Sequence, residues 1–169
     1  MPDEAPAGTS DSFKVGHSSA DLRGMDAKPK TALQYKRETQ FLQNMRAFMR
    51  GNFALIETTW RPDVSLTLPG SSWLAGTHQG FKDVSRCVHG LRQVLTAEQT
   101  RTEFLHEDDQ LIVRHDIKVN GPTQVAEMTL RVRVLYDKDG KAEAIHLEPD
   151  DLALFDHALN TRQQNRSIA

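Results

Sequence analysis

Hydrophobic and polar positions in the first part of the chain follow a helical period. In residues 31–50, apolar side chains recur every three or four positions, Thr31 can cap the run and Gly51 ends it, which predicts a first helix. A second, shorter helix follows and is stopped by Pro62. The apolar stripe of the first helix is Tyr35, Phe41, Leu42, Met45, Phe48 and Met49, and that of the second is Phe53, Ile56 and Trp60.

The period then changes to two, which indicates strands, and returns once to a helical spacing. Residues 64–68 alternate as a strand does, residues 69–72 form a turn, and residues 74–80 predict a short second strand. A third helix follows with a regular apolar stripe. Its members are Phe81, Val84, Cys87, Val88, Leu91, Val94 and Leu95.

The rest of the pattern predicts four strands and one closing helix. The strands cover residues 100–106, 111–119, 125–136 and 141–148, separated by turn residues such as Asn120 and Gly121. Asp150 or Asp151 then caps a short C-terminal helix. This order predicts an α+β fold, in which one curved antiparallel sheet is covered by helices on one face.

Strand alternation places a histidine on the inner face of this sheet. Four aliphatic residues of the strand 111–119 share a face, and His115 lies in the middle of it. One interpretation is a core histidine satisfied by a neighbouring hydrogen bond. The other is a pocket acid, base or ligand donor, because the pKa of histidine is close to neutral. The four aliphatic residues are Leu111, Val113, Ile117 and Val119.

Other polar positions are less decisive. The next strand carries a polar row that predicts a solvent face or a dimer face, although strong curvature of the sheet could bring Glu127 to the pocket mouth. His146 could face either way. His78 and His89 lack the spacing of a metal site, and Cys87 lies on a buried helical stripe as a small core residue does. The polar row is Glu127, Thr129, Arg131 and Arg133.

Composition narrows the classes of function. The chain has 169 residues with 21 Lys and Arg against 23 Asp and Glu, a net charge of −2 that argues against nucleic-acid binding. Its one cysteine excludes an internal disulfide framework, and we expect no metal and no cofactor. Without a signal-like or spanning apolar segment, the sequence predicts a cytoplasmic protein with no membrane partner. We expect a flexible tail at residues 1–29, one domain at 30–160 and a C-terminal tail at 161–169.

Three segments resemble a known family. Residues 69–80 (PGSSWLAGTHQG) resemble a Pro-Gly and Leu-Ala-Gly-Thr stretch of SnoaL-like proteins, which belong to the ketosteroid-isomerase-like, nuclear-transport-factor-2-like superfamily. Residues 137–145 are similar to the family's last hairpin, and residues 149–156 (PDDLALFD) to its ending. The resemblance covers residues 31–160 and implies a conical sheet wrapped around three helices, an apolar pocket and frequent dimerisation through the open sheet face.

The sequence departs from the ketosteroid isomerases of this family. Their catalytic carboxylate near the end of the first long strand is replaced by the stretch Leu66-Thr67-Leu68, and the tryptophan of the last hairpin strand by His146. By position, the candidate catalytic residues are therefore His115, Asp63 and Asp151. The candidate ligand-binding residues are Trp60 and Trp73, as stacking walls, together with Glu127 and His146.

Three functions remain open at this point. The first is an acid/base cyclase or isomerase acting on an apolar polyketide- or steroid-like carbonyl compound, with His115 and a carboxylate moving a proton. The second is a non-catalytic module that binds a small apolar or aromatic ligand, or assembles with partners, through the same fold. The third is an epoxide-type hydrolase, which would need Asp63, Arg131 and Asp151 together inside the pocket.

Overall fold

Helices and strands follow one another in the order that the hydrophobic pattern predicts. The structure, a computed structural model, describes residues 28–94 and 99–166. By its internal contacts the chain divides into Met1–Lys30 and Thr31–Ala169, and all the elements below belong to the second unit. The helices are α1 (Ala32–Arg50), α2 (Phe53–Glu57), α3 (Phe81–Val94) and α4 (Leu152–Arg166). The strands are β1 (Trp60–Leu68), β2 (Gly76–Gln79), β3 (Gln99–Glu107), β4 (Gln110–Asn120), β5 (Val125–Tyr136) and β6 (Ala142–Pro149).

Both ends of α1 form as their residues predict. The Thr31 hydroxyl accepts a hydrogen bond from the Gln34 amide at 3.2 Å, and the Gln34 side chain accepts one from the Thr31 amide at 2.8 Å. This reciprocal pair satisfies two amides that a helix start leaves without partners. At the other end, Gly51 adopts a φ of 71°, a left-handed conformation that glycine reaches at little cost.

The six strands form one sheet in the order β2-β1-β6-β5-β4-β3. All neighbours are antiparallel except β1 and β6, which run parallel, so the sheet is mostly and not wholly antiparallel. The predicted inner face of β4 is confirmed: Leu111, Val113, His115, Ile117 and Val119 are all buried. Register places His115 opposite Thr102 of β3 and Leu130 of β5.

Some boundaries differ from the prediction because tertiary pairing extends or redirects an element. Trp60, predicted at the end of the second helix, begins β1, where it pairs with Ala142 of β6. The C-terminal helix is 15 residues long and reaches Arg166, so it is neither short nor ended before the predicted tail. The Asp151 carboxylate caps this helix by accepting from the Leu154 amide at 2.9 Å. The predicted N-terminal tail up to residue 27, and Leu95, lie outside the described residues.

The buried face of α1 is also rotated relative to the predicted stripe. Phe41 is buried and Met45 and Phe48 are half-buried, as expected, but Arg37 and Glu38 are buried as well. These two charged side chains find partners at the β3–β4 hairpin, which lets the helix turn them inward. The stripe members that are exposed instead are Tyr35, Leu42 and Met49.

Two of the motifs that resemble the SnoaL-like family contact each other. The Asp156 carboxylate of α4 accepts hydrogen bonds from the amides of Ser71 and Ser72, at 2.9 and 3.0 Å, and from the Ser71 hydroxyl at 3.1 Å. Gly70, with a φ of 101°, lies so close to this carboxylate that a Cβ atom there would collide with it. These motif residues therefore hold α4 against the loop after β1.

The helices pack on the inner sheet face and share one apolar core with it. Leu91 and Cys87 of α3 are buried in this core, as their stripe predicts. Burial raises the pKa of the Cys87 thiol to about 12, so the thiol is protonated at neutral pH. Among the described helices, none combines the length and hydropathy that crossing a membrane requires.

Candidate functional site

A cavity of about 150 Å³ lies between α1 and the inner face of the sheet. Its wall is mostly aliphatic and aromatic, and includes Leu66 near the end of β1. The wall also includes Gln40 and Met49 of α1, which are partly exposed, so the cavity reaches solvent beside this helix. Its polar wall residues are Gln40, Asn44, Thr59, His115 and Tyr136.

His115 forms part of this wall and is only 3% exposed. Its ring stacks on Phe41 of α1, with centroids 5.8 Å apart and planes 24° from parallel. Nδ1 is hydrogen-bonded to the Thr102 hydroxyl at 3.0 Å, whereas Nε2 is buried and has no hydrogen-bond partner among the described residues. One ring nitrogen therefore orients the imidazole, and the other has no hydrogen-bond partner among the described residues.

Burial lowers the pKa of His115 below its ordinary value of 6.5, because an apolar environment disfavours the charged imidazolium. None of the described residues that line the cavity is a carboxylate that could offset this effect. The imidazole is therefore neutral at neutral pH, and it can accept a proton or a hydrogen bond.

Asn44 and Thr59 supply the next polar feature of the wall. The Asn44 Nδ2 group donates to the Thr59 hydroxyl at 2.8 Å, and this hydroxyl donates to the Ile56 carbonyl at 2.8 Å. The Asn44 Oδ1 atom is buried without a hydrogen-bond partner among the described residues. The cavity thus presents two buried polar atoms without partners, one on His115 and one on Asn44.

Tyr136 connects the cavity wall to a buried cation. Arg37 is only 6% exposed. Its guanidinium lies over the Tyr136 ring, with the central carbon 4.8 Å from the ring centroid. It also donates to the Asp108 carbonyl at 3.5 Å and lies 3.8 Å from the Asp109 carboxylate. Burial raises the pKa of Tyr136 to about 12, opposed by the charge of Arg37, so the phenol remains protonated.

Glu38 and His106 form a buried pair beside this cation. His106 Nε2 donates to Glu38 Oε1 at 2.8 Å, and the two side chains are 8% and 11% exposed. The pair joins α1 to β3, and neither residue lines the cavity. We therefore assign the pair a structural role, in which the Glu38 carboxylate accepts from one ring nitrogen of His106 inside the protein. The other ring nitrogen, Nδ1, is buried without a hydrogen-bond partner among the described residues.

The predicted catalytic carboxylates lie outside the cavity, which corrects both assignments. Asp63 directly precedes the buried Val64 in β1, and strand alternation turns Asp63 to the surface. There Asp63 forms two hydrogen bonds with Arg61, at 2.7 and 2.9 Å, and these bonds hold the pKa of its carboxyl below the ordinary value. Asp151 is exposed because its carboxylate caps α4.

Trp60 is the only one of the four predicted ligand-binding residues that lines the cavity. Trp73 is 43% exposed, and its indole N–H donates to the Leu159 carbonyl of α4 at 3.1 Å, away from the wall. Glu127 is exposed on the outer face of β5. His146 also lies on the outer face, because its neighbours Ile145 and Leu147 point into the cavity.

The three residues required for epoxide-type hydrolysis are not brought together. Asp63, Arg131 and Asp151 are all exposed, and none of them lines the cavity. His78 donates to the Leu74 carbonyl at 2.8 Å and the ring of His89 contacts Phe53, so neither histidine faces the cavity. Within residues 28–94 and 99–166, His, Cys, Asp and Glu side chains do not gather in threes as a metal site would require.

Sequence reasoning did not find Asn44, Arg37, Glu38 or His106. Asn44 stands three residues after Phe41, on the same helical stripe, and a polar residue within an apolar stripe is the signal that could have identified it. The partners of the other three residues are up to 71 positions away in the sequence, and no local pattern reveals such pairs.

Comparisons with known proteins bear on the fold. No family model matches this sequence, and no curated protein matches it either. Among solved structures, an NTF2-like protein from Burkholderia xenovorans is similar with a TM-score of 0.63, at 20% identity, over 76% of this chain and 98% of its own.

Two further structures have names that describe an activity. A protein described as a SnoaL-like polyketide cyclase, from Jannaschia, has a TM-score of 0.63 at 13% identity, over 78% of this chain and 97% of its own. A steroid delta-isomerase from Pseudomonas aeruginosa has a TM-score of 0.60 at 12% identity, over 83% and 98%. At these identities the likeness establishes the fold alone. The chain has the nuclear-transport-factor-2-like fold, which structures described as polyketide cyclases and isomerases share.

Proposed function

We propose that the protein binds a small, largely apolar carbonyl compound in the cavity, and that His115 moves a proton at the carbon next to the carbonyl group. The observation that supports this most strongly is the unpartnered Nε2 of a buried, neutral imidazole in an otherwise apolar wall. A general base needs a basic atom within reach of the substrate and a surrounding that excludes water. The unpartnered Nε2 and the largely apolar wall support this role for the tautomer in which Nδ1 donates its hydrogen to the Thr102 hydroxyl.

The volume of the cavity limits the size of the ligand. About 150 Å³ accommodates roughly one six-membered ring. A tetracyclic steroid would have to extend out of the cavity beside α1, so a single-ring carbonyl compound fits better than the larger molecules considered from the sequence. Trp60 and Phe41 supply aromatic surface against such a ring.

The proposed reaction uses the protein's own groups for each proton. The unprotonated Nε2 takes the proton from the α-carbon. The electrons of the broken C–H bond move toward the carbonyl group and form an enolate. The resulting imidazolium delivers this proton to a conjugated carbon, which gives isomerisation. Alternatively, it trades the proton with solvent at the open side of the cavity before a proton returns to the same carbon, which gives exchange. Thr102, bonded to Nδ1, keeps the ring oriented through both steps.

A non-catalytic ligand-binding role is the second candidate. The observation in its favour is that no carboxylate among the described residues lines the cavity, so no acid is available to pair with the imidazolium as it forms. Under this alternative, His115 donates or accepts a hydrogen bond and does not transfer a proton.

Deuterium exchange distinguishes the two functions. Phenylacetone has one ring and enolisable protons, and its loss of CH₂ signal in D₂O can be followed by proton NMR. We expect the wild type to accelerate this loss, His115→Gln to return it to the buffer rate, and the matched variant His146→Gln to behave as wild type, because His146 lies on the outer face.

Measuring binding as well as exchange distinguishes a catalytic protein from one that only binds the ligand. If phenylacetone raises the melting temperature but exchanges at the buffer rate, the non-catalytic function is correct. If it neither binds nor exchanges, the proposed class of carbonyl ligand is wrong.

We further propose that two copies of the chain associate through the outer face of the sheet. This face carries the exposed residues Glu127 and Arg131 between half-buried polar neighbours, a composition suited to a polar, hydrated contact. The proposal rests on this surface and on the dimerisation that the family resemblance implies.

A further inference from the structure

Hydrogen-bond chemistry indicates which atom of the Asn44 amide lacks a partner. The Thr59 hydroxyl donates its single hydrogen to the Ile56 carbonyl at 2.8 Å. Thr59 can then only accept from Asn44, which assigns the NH₂ group of Asn44 to this contact. The remaining amide atom, Oδ1, is therefore the one that is buried without a hydrogen-bond partner among the described residues.

We propose that Asn44 Oδ1 accepts a hydrogen bond from a hydroxyl group of the ligand, so that the cavity selects a single-ring hydroxylated carbonyl compound over its unhydroxylated analogues. This inference rests on the proposed function to the extent that the cavity must bind a small molecule. It adds a specificity-determining residue and a substrate class that the fold does not imply.

The chemistry of the amide oxygen restricts what can pair with it. An amide oxygen only accepts hydrogen bonds, and its orientation here is held by Thr59. A hydroxyl group satisfies it, whereas a methyl group, an ether or a second carbonyl leaves a buried acceptor without a partner. Leaving one buried polar atom unsatisfied weakens binding by about 5- to 150-fold.

The positions of Asn44 and His115 suit the two ends of one small molecule. Asn44 follows Phe41 by three residues on α1, which places it about 4.5 Å further along the helix axis. Phe41 stacks on His115 with centroids 5.8 Å apart, and all three residues line the same cavity. A ring between them can direct its hydroxyl to Oδ1 of Asn44 while its carbonyl side faces Nε2 of His115.

Matched pairs of probes test the inference. The 3- and 4-isomers of hydroxyacetophenone are compared with the corresponding methylacetophenones, in which a methyl group of similar size replaces the hydroxyl. Isothermal titration calorimetry with the wild type should show a preference of about 5- to 150-fold for at least one hydroxyl isomer over its methyl partner. Asn44→Leu should reduce this preference to about twofold or less, mainly because the hydroxyl compounds lose their acceptor and bind more weakly.

Two further variants keep the test interpretable. Gln43→Leu makes the same kind of change on an exposed position of α1 that does not line the cavity, and it should retain the wild-type preference. If Asn44→Leu does not fold, Asn44→Ala also removes the acceptor, and it should lose the preference in the same way.

The inference fails if the wild type binds hydroxyl and methyl probes equally, or if the preference survives both Asn44 variants. Equal binding of both probes would still support a small-molecule cavity, so the proposed function would stand without its hydroxyl selectivity. If no probe binds, the hydroxylated class is wrong. Since phenylacetone carries no hydroxyl group, its exchange reports on His115 independently of Asn44.

Discussion

Protonation of His115 should be coupled to folding. Because burial lowers its pKa below 6.5, the unfolded chain binds a proton on this histidine at a higher pH than the native protein does. In the window between the two pKa values, the unfolded state holds more protons. The free energy of unfolding must therefore fall as the pH is lowered from above 6.5 toward the native pKa.

The magnitude follows from one proton. Each pH unit inside this window removes up to about 1.4 kcal/mol from the stability of the wild type. His115→Gln removes the titrating group, and with it the bond to Thr102 and the stacking on Phe41, so we expect a pH-independent loss of about 1–3 kcal/mol in the variant. The wild type's advantage over this variant should be largest above pH 6.5 and shrink on acidification.

Urea unfolding followed by tryptophan fluorescence measures this difference between about pH 5 and pH 8. All other titrating groups are common to both proteins and cancel in the comparison. His146→Gln serves as the control for replacing a histidine by a glutamine, because His146 is on the outer face of the sheet and does not line the cavity. A stability difference that stays constant with pH, or grows on acidification, would refute the argument, since it would mean that the native protein accommodates the imidazolium.

Three other expectations concern stability and assembly. Leu91→Ala should lower the free energy of unfolding in urea by about 2–5 kcal/mol, because it enlarges the cavity that Leu91 lines. Leu105→Ala, at a position 53% exposed, should lower it by less than about 1 kcal/mol. Similar losses for the two variants would contradict the assignment of α3 to the core. Asp156→Asn should cost about 1–3 kcal/mol by the same measurement, because an amide cannot accept all three hydrogen bonds from the loop after β1; an unchanged midpoint would show that this contact is not needed. Arg131→Glu should weaken the proposed dimer in light scattering, and a wild type that is monomeric at high concentration would refute dimerisation.

The order and type of the elements could be predicted because each depends on residues close together in the sequence. A helical period, a capping threonine and a terminating glycine act within a few positions, and α1 forms as they indicate. Alternation also placed His115 on the inner face of β4, since a one-residue shift would expose four aliphatic side chains. The motifs that resemble the SnoaL-like family identified the fold correctly.

Assignment of site residues by position was less successful. Asp63 and Asp151 were candidate acids because they flank elements near the expected pocket. At the surface, however, Asp63 accepts hydrogen bonds from Arg61, and Asp151 caps the start of α4. The segments that resemble the family are structural where Asp156 meets the loop after β1, and they contribute only the apolar side chains of Ala142 and Ile145 to the cavity wall. The resemblance therefore identified the fold and left the chemistry of the cavity open.

The sequence by itself determined the succession of helices and strands, the inner face of β4 and the burial of His115. It could do so because the spacing of apolar residues is a local property, and the hydrophobic effect buries the face on which they recur. Only the tertiary structure decided which polar atoms meet and which remain without partners. Thr102 reaches His115 through the pairing of β3 with β4, and Thr59 reaches Asn44 through the turn from α2 into β1. Hydrogen bonds act over about 3 Å, so their pattern depends on how distant elements pack.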